Sequence, residues 1–327
     1  MPRPLRSLAA LTATASLLVT LAAPLARASP VVVVVTPAQA QAIVLSFIAV
    51  NNKANATYDT VLQDKHEEGA ARAVDDALFR IAKRVGVGPL PATAAVGTRV
   101  FVPRQTGYPA VFVALLHPKL KGQPASAFTA AFVFRRDSAR ATWKVADGTT
   151  FPGAGPALAL GADGYLPTLR PQTLLATPTA LYPLWIAAQN RAARGATVPA
   201  VWARNSLFRK YIVLSASAAA HDRVGASSAH FAPLCVASTV GALCFVVTTT
   251  VDDLTLSPAE VAAGAGYRVD TVDQQISLGG IDRGVYDNLH FVSQRSVAIT
   301  VPRKGAKGTL QLVGYDSEAV AGRGVKA

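Results

Sequence analysis

The spacing of apolar residues after residue 35 predicts an amphipathic helix. Thr36 is followed by Pro37 at the first helical position, and Gln39 completes a capping box, so the helix is predicted to begin there. The apolar face has four residues at helical spacing: Ala40, Ile43, Val44 and Phe47. The pattern lets this helix run on toward Tyr58.

A second amphipathic helix is predicted from about Ala70 to Val85. Its apolar residues recur at intervals of four and three: Val74, Leu78, Ile81 and Val85. Asp76 and Arg80 are spaced to form an ion pair one turn apart, and Gly86 follows the last turn as a terminator. Two helices therefore precede the first predicted strand.

The spacing then changes to the alternation that is typical of β-strands. One face of a strand would carry Phe128, Ala130, Phe132 and Phe134. An antiparallel meander of four strands is predicted around Arg99–Val102, Pro109–Leu116, Ala127–Arg136 and Thr142–Val145. A turn over residues 136–140 joins the last two strands.

The order of helix first and strands second is predicted again in the second half. A segment rich in Gly, Pro and Leu, residues 151–173, separates the halves, and Thr177-Pro178 repeats the signature of Thr36-Pro37. The helix that follows ends at Gly195 and has an apolar face of Leu181, Leu184, Trp185 and Ala188. Further strands are predicted around Phe231–Val236, Ala242–Thr249, Gly266–Ser277, Leu289–Val301 and Gly308–Val313.

This repeated order predicts an α+β protein with two lobes in tandem. Each lobe would place helices on one face of a curved antiparallel sheet, which is a two-layer arrangement. The order of helices and meander, with its closing hairpin, resembles the cone-shaped NTF2-like or cystatin-like fold. We predict a first lobe at residues 29–160, a linker at residues 161–173 and a second lobe at residues 174–327.

Residues 1–28 have the pattern of a cleavable export signal. Two arginines precede an apolar stretch from Leu8 to Ala23, and Ala26-Arg27-Ala28 offers small residues for cleavage. The stretch is diluted by Ala, Thr and Ser, whereas a membrane-spanning helix needs about 20 strongly apolar residues. The only cysteines are Cys235 and Cys244, so we expect no lipid anchor. We predict a secreted or cell-envelope protein that has no stable membrane span after the signal is removed.

The chain is strongly basic, with 32 Lys and Arg against 19 Asp and Glu. Removal of residues 1–28 takes three arginines and leaves 29 basic against 19 acidic residues, a net charge of +10. Such a surface attracts anionic partners at long range, so we expect anionic envelope polymers or another envelope protein as partners. The basic residues are scattered and lack the stripe with interleaved aromatic residues that nucleic-acid grooves show, so nucleic acid is not expected.

The two cysteines are predicted to form a structural disulfide. Cys235 and Cys244 flank the short segment Ser238–Gly241, so a tight hairpin would set them directly opposite each other. Closing a loop of about ten residues would stabilise the fold by roughly 2.5 to 3 kcal/mol in the chain-entropy model. The spacing differs from the Cys-x-x-Cys of redox-active sites, so we expect no redox role.

Two groups of titratable residues are candidates for chemistry. The denser group comprises Asp59, Asp64, His66, Glu67 and Glu68. Adjacent residues on a helix point about 100° apart, and the His-Glu-x-x-His spacing of zinc sites is absent, so a solvated helix end is the favoured interpretation. Glu67 or Glu68 beside Gly69 would fix the junction between the two helices.

The other group comprises His221, Asp222, Ser227, Ser228 and His230. A Ser/His/Asp hydrolase uses such residues, but the G-x-S-x-G nucleophile elbow is absent, and loop polarity is the favoured interpretation. Gly305–Gly308 lies between two predicted strands, whereas phosphate loops lead into a helix, so it is predicted to be a basic hairpin tip. We predict no catalytic, cofactor-binding or metal-binding residues and no cofactor.

Short segments along the whole chain carry a resemblance to a known family. They are Thr36–Ala40, Asn51–Asp59, Glu67–Gly69, Gly107–Pro109, Trp143–Val145, Thr177-Pro178, Gly241–Phe245 and Ile299–Gly305. Together they resemble exported actinobacterial proteins, often lipoproteins, that are built on a domain of unknown function. The chain departs from the lipoprotein members because it lacks their anchoring cysteine. The resemblance implies fold and location, and the family has no established activity to transfer.

Two functions remain open from the sequence. The first is a non-catalytic envelope protein whose lobes bind a small ligand, an anionic wall component or another protein. The second is an exported hydrolase or isomerase with an acid/base site inside one cone-shaped lobe. A pocket with two titratable groups of shifted pKa within hydrogen-bond reach would support the enzyme. We expect the first function, because a fold alone does not define an activity.

Overall fold

The computed structural model describes residues 33–194, 196–213, 222–227 and 232–327, and it shows an α+β protein with two antiparallel sheets. The first part of the chain has three helices: α1 (Pro37–Thr57), α2 (Thr60–Gln63) and α3 (Gly69–Val85). Four strands follow: β1 (Thr93–Phe101), β2 (Ala110–Leu120), β3 (Phe128–Arg136) and β4 (Lys144–Pro152). They form one sheet in sequential order, so β4 lies at an edge.

The second sheet is built from the later strands. The helices of this part are α4 (Pro178–Ala193), α5 (Ser206–Phe208), α6 (Pro258–Ala262) and α7 (Val272–Ser277), with a 3₁₀ turn at Pro171–Thr173 and a π-helical turn at Arg209–Val213. The strands are β5 (Asp222–Ser227), β6 (Leu234–Ala237), β7 (Gly241–Thr255), β8 (Tyr267–Val269), β9 (Gly284–Pro302) and β10 (Gln311–Lys326). The sheet order is β10-β9-β7-β5, β6 also pairs with β7, and β8 pairs with β9. One of the two sheets is strongly curled, as a half-barrel.

Three apolar cores place the two sheets between two helical layers. α1 covers one face of the first sheet, where Phe47 meets Phe134 edge to face with ring centroids 5.7 Å apart. The other face of that sheet packs against the second sheet through residues such as Val133 and Phe245. α4 covers the outer face of the second sheet with the fully buried Trp185. Residues 33–327 are thereby one compact unit with the layer order helix, sheet, sheet, helix.

The helix termini follow the capping signals in the sequence. Gln39 N donates to Thr36 Oγ1 at 3.2 Å and Thr36 N donates to Gln39 Oε1 at 2.9 Å, which is the predicted capping box. α1 runs to its cap at Tyr58, and α3 ends at Gly86 in the left-handed conformation, with φ 74°. The N-cap at Thr177 before Pro178 is also confirmed.

The ion pair on α3 differs from the prediction. Asp76 pairs with Arg72, one turn earlier, with Nε and Oδ2 3.5 Å apart. Arg80 Nη2 instead donates to the backbone carbonyl of Val320 at 2.9 Å, because α3 packs against β10. The guanidinium of Arg80 therefore ties the helix to the second sheet.

Several strand predictions differ from the structure, and β10 runs to Lys326 although its end was predicted at Val313. β4 continues through residues 146–150 to Pro152, whereas the sequence predicted its end at Val145. Ala146, Asp147 and Gly148 have low strand propensity, and the packing of β4 against α3 and β10 overrides that tendency. Of the strand predicted at residues 266–277, only Tyr267–Val269 is extended, since Thr271 and Gln274 form a capping box that starts α7. β5 was not predicted.

Cys235 and Cys244 form the predicted disulfide. They lie directly opposite each other in the antiparallel pair β6 and β7, with Cα atoms 4.1 Å apart. Cys244 is fully buried in the core beneath α4. The bridge therefore fixes the short β6 strand to the central strand of the second sheet.

Within the described ranges, no helix has the length and apolar character needed to cross a membrane. The disulfide is compatible with an extracytoplasmic protein.

Candidate functional site

A cavity of about 390 Å³ lies beside the edge strand β4 and is bounded by α1, α3, β9 and β10. Its apolar wall includes Phe47, Val74, Leu78, Ile81, Ala130 and Phe132. Its polar wall includes five carboxyl groups, those of Glu67, Asp75, Asp147, Asp316 and Glu318. A volume of this size falls in the range of small-molecule sites, about 300 to 1,000 Å³.

Glu67 is positioned by the segment that joins α2 to α3 and pairs with β4. Glu68 N donates to the carbonyl of Val145 at 2.9 Å, and Val145 N donates to the carbonyl of His66 at 2.8 Å. The side chain of Glu67, between these two anchors, is only 4% exposed. Gly69 then leads into α3 with φ 62°, a conformation that glycine adopts without steric cost. The edge of β4 therefore sets the place of this carboxyl group.

Gln63, Glu67 and Asp75 form a hydrogen-bonded group on the helical side of the cavity. Gln63 Nε2 lies 2.5 Å from Glu67 Oε1, 2.9 Å from Asp75 Oδ2 and 2.9 Å from Asn51 Oδ1. A carboxamide has two hydrogens, so at most two of these oxygens can each receive one at a time. The two carboxyl groups are also hydrogen-bonded to each other.

These two carboxyl groups hold a proton between them. Desolvation raises the pKa of Glu67 strongly, and the neighbouring charge of Asp75 raises it further. Desolvation also raises the pKa of Asp75, but less, because hydrogen bonds from Glu67 and Gln63 favour its ionised form. Glu67 therefore keeps its proton at neutral pH and donates it to Asp75.

Asp147 lines the cavity from β4, just after an irregularity in the pairing of β3 with β4. Its side chain is 3% exposed, and it accepts hydrogen bonds from the Ser296 hydroxyl of β9 and from the Gly148 backbone N–H. Desolvation raises the pKa of Asp147 to about 7, against the lowering effect of these two hydrogen bonds. The nearby charge of Asp316 raises it as well.

Asp147 Oδ2 has no hydrogen-bond partner among the described residues. A buried polar atom without a partner costs about 1 to 3 kcal/mol, and more when it is charged. Asp147 also lines a smaller cavity of about 160 Å³, together with Arg135 and Phe245. The described chain therefore leaves this oxygen of a cavity-lining carboxyl group without a hydrogen bond.

Two carboxyl groups of β10 complete the polar wall. Desolvation raises the pKa of Asp316 and of Glu318, and the charges of Asp316 and Asp75 raise that of Glu318 further. Glu318 is exposed, so it lies on the open side of the cavity. None of the described residues that line the cavity is Lys, Arg or His. A basic protein thus contains an acidic cavity.

Comparison with known proteins identifies the family. The model of a domain of unknown function, DUF8094, matches residues 31–324. The chain belongs to this family. No curated protein and no solved structure matches it. The DUF8094 domain includes both sheets and all residues of the cavity.

The denser group of titratable residues is divided in the DUF8094 fold. Asp59 caps α2 by accepting from Leu62 N at 2.9 Å, and Asp64 pairs with Arg72 at the surface. The interpretation as a solvated helix end is wrong for Glu67, which is buried because its segment pairs with the edge of β4. Across the described ranges, no three or more His, Cys, Asp or Glu side chains are grouped so as to hold a metal ion.

None of the other candidates is among the described residues that line this cavity. His221, Ser228 and His230 lie outside the described residues, and Asp222 and Ser227 are the ends of β5, for which the backbone alone is described. Gly305–Gly308 lies between β9 and β10, as predicted. The described part of the chain therefore does not test the hypothesis of a Ser/His/Asp hydrolase.

Four carboxyl groups of the cavity were missed in the sequence. Asp75 has apolar residues three or four positions away on α3, namely Ala71, Leu78 and Phe79, and a carboxyl group with such neighbours is the signal that could have revealed it. Asp147 was hidden because β4 was predicted to end at Val145. Asp316 and Glu318 were hidden because β10 was predicted to end at residue 313.

Proposed function

We propose that this protein is an exported, non-catalytic protein of the cell envelope that binds a small ligand in the cavity beside β4. The observation that carries the proposal is the buried carboxyl group of Asp147, whose Oδ2 has no partner among the described residues. A ligand that donates a hydrogen bond to this oxygen would remove the cost of leaving it unsatisfied. The apolar wall with Phe47 and Phe132 would bury the rest of the ligand.

Export and location are supported by two features of the chain. Residues 1–28 have the pattern of a cleavable signal without a lipid anchor, and disulfides such as Cys235–Cys244 persist in oxidising compartments. The excess of basic residues would hold the mature protein near anionic envelope polymers. A role in the cell envelope accords with both.

The proposal extends to the origin and architecture of the chain. Helices precede antiparallel strands in each half, and the layers run helix, sheet, sheet, helix. This order is what two similar lobes, NTF2-like or cystatin-like, would give when they pack sheet to sheet. The actinobacterial origin is supported by the resemblance of the short sequence segments.

Binding of a neutral, environment-sensitive dye to the mature chain tests the cavity. Ala71 lines the cavity on α3, so Ala71→Phe should fill it, whereas Ala73 on the same helix is not among the lining residues. We expect Prodan to bind with a stoichiometry of one, about tenfold weaker binding to Ala71→Phe, and unchanged binding to Ala73→Phe. Equal affinity of the dye for all three folded proteins would reject the cavity as its site.

The carboxyl pair of Glu67 and Asp75 favours a second candidate, an exported hydrolase or isomerase. Glu67 holds a proton at neutral pH and Asp75 is its hydrogen-bonded acceptor, which is how a general acid and a general base are paired. Turnover of a panel of chromogenic esters and glycosides, lost in both Glu67→Gln and Asp75→Asn, would support this candidate. Absence of turnover across the panel would count against it.

A further inference from the structure

The charged and titratable side chains among the described residues of the cavity wall are all acidic, whereas the chain as a whole is basic. Five of the 19 acidic residues of the chain line the cavity, and none of its 32 basic residues is among the described lining residues. A random sample of residues from this sequence would contain more basic than acidic side chains. The reversal of sign therefore marks a site with a preference for positive charge.

The carboxyl groups come from separate elements and influence one another. Glu67 precedes α3 and Asp75 lies on it, Asp147 lies on β4, and Asp316 and Glu318 lie on β10. The negative charge of Asp316 raises the pKa of Asp147 and of Glu318. The negative charge of Asp75 raises the pKa of Glu67 and of Glu318. These electrostatic interactions link the exposed Glu318 to the buried Glu67 and Asp147.

Two further charged groups face this set from the packed elements. Asp76 on α3 adds negative charge near Glu67 and Asp75. Arg135 on β3 lines the smaller cavity on which Asp147 also borders. The field at the larger cavity is therefore dominated by carboxyl groups.

We infer that the ligand of this site is an organic cation, with a compact ammonium group attached to an apolar body. This inference rests on the proposed function and names the ligand class of the same cavity. An ammonium group donates charge-assisted hydrogen bonds, which suit Asp147 Oδ2, and it offsets the charge that accumulates when the carboxyl groups ionise. An anion would be repelled by the same groups.

The apolar wall selects the rest of the ligand. Phe47, Leu78 and Phe132 face the same cavity as the carboxyl groups, so an alkyl or aryl body can be buried while its amine meets Asp147. The carboxyl groups are spread along the wall, and across the described residues they do not gather into a metal-binding group. An amine therefore fits the site better than a metal ion does.

A matched series of ligands tests the inference on the mature protein. 4-Phenylbutylammonium, 4-phenylbutanol and 4-phenylbutanoate share one apolar body and differ in charge. At pH 8 we expect the ammonium compound to bind at least about tenfold more tightly than the alcohol, and the carboxylate to bind weakest. Asp147→Asn should weaken binding of the ammonium compound about tenfold and binding of the alcohol less, because only the ammonium group loses a charge-assisted hydrogen bond.

Proton uptake or release separates the charge effect from simple burial. Since the cation binds the ionised carboxyl groups, calorimetry in two buffers of different ionisation enthalpy should show proton release on binding of the ammonium compound near pH 6 and none for the alcohol. If the alcohol binds as tightly as the ammonium compound and both are lost in Ala71→Phe, the cation preference is wrong and the proposed ligand site stands. If none of the three compounds binds, both the inference and the proposed function fail.

Discussion

Ser296 of β9 donates its hydroxyl hydrogen to the carboxyl group of Asp147 on β4. This hydrogen bond joins the second sheet, which contains Ser296, to the first sheet, which contains Asp147. The contact occurs where the two sheets meet beside the cavity. It satisfies one oxygen of Asp147 and leaves the other without a partner among the described residues. The stability of the sheet contact and the electrostatics of the cavity are therefore linked through a single carboxyl group.

Asp147→Asn should stabilise the protein at neutral and higher pH. The pKa of Asp147 is about 7 in the folded protein and 3.8 in the unfolded chain. Between these two pH values, the unfolded chain has lost a proton that the folded protein still keeps. Stability therefore falls as the pH rises from about 4 to about 7, and Asn removes this loss. We expect a gain of about 2 to 4 kcal/mol at pH 8 and little change at pH 4, measured by urea unfolding.

Asp270→Asn serves as the control, since its side chain is 60% exposed. It should change the stability at pH 8 by less than about 0.5 kcal/mol. A loss of stability in Asp147→Asn at pH 8 would contradict the assignment of a desolvated carboxyl group.

Glu67→Gln should have little effect on stability at pH 7. Desolvation raises the pKa of Glu67, so the group is protonated at this pH and Gln reproduces its shape and its hydrogen-bond donor. Glu67→Ala removes one hydrogen-bond partner from Gln63 and one from Asp75, and we expect a loss of about 1 to 3 kcal/mol. Equal losses in both variants, compared by chemical unfolding, would show that Glu67 is ionised.

Gly69→Ala should destabilise the protein by about 1 to 2 kcal/mol. Gly69 has φ 62°, a left-handed conformation that costs about this much for a residue with a Cβ atom. Gly88→Ala is the matched control, because a Cβ atom there would meet nothing within 4 Å and φ is not positive. Thermal unfolding should separate the two variants, and a similar effect of both would mean that the turn into α3 tolerates a side chain.

Replacement of both Cys235 and Cys244 by Ala should lower the free energy of unfolding by about 2.5 to 3 kcal/mol. The bridge closes a loop with a sequence separation of 9, and the estimate follows from the loss of that constraint on the unfolded chain. A reducing agent should destabilise the natural protein by a similar amount and leave the double variant unchanged. Sensitivity of the double variant to the reducing agent would point to a different cause.

Mass spectrometry of the protein isolated from its native cells should show a chain that begins at Ser29. Residues 1–28 carry the basic start, apolar stretch and small residues of a cleavable signal. The mature chain should appear in the fraction outside the membrane. An intact N-terminus in the membrane fraction would refute both the cleavage and the absence of an anchor.

Local signals in the sequence predicted the parts of the fold that short-range chemistry determines. The capping box of Thr36 and Gln39, the terminator Gly86 and the hairpin that pairs Cys235 with Cys244 depend on residues close in sequence. These elements lie where they were predicted. The alternation of β3 was also read correctly, and both faces of that strand are buried in different cores.

Most of the site could not be predicted from the sequence, because it depends on contacts between segments that are distant in the chain. β4 extends to Pro152 only where α3 and β10 cover it, so the strand position of Asp147 could not be read from its neighbours. Ser296 lies 149 residues from its partner Asp147. Asp75 was the one accessible signal, a carboxyl group with apolar neighbours on its helix.

The pairing of residues 66–68 with β4 has a consequence for how the protein behaves at high concentration. β4 is the last strand of its sheet, and the open backbone of an edge strand invites another chain to add to it. The hydrogen bonds of His66 and Glu68 to Val145 occupy the start of that edge with a segment of the same molecule. The junction that positions Glu67 thereby also shields the monomer against intermolecular strand addition and aggregation.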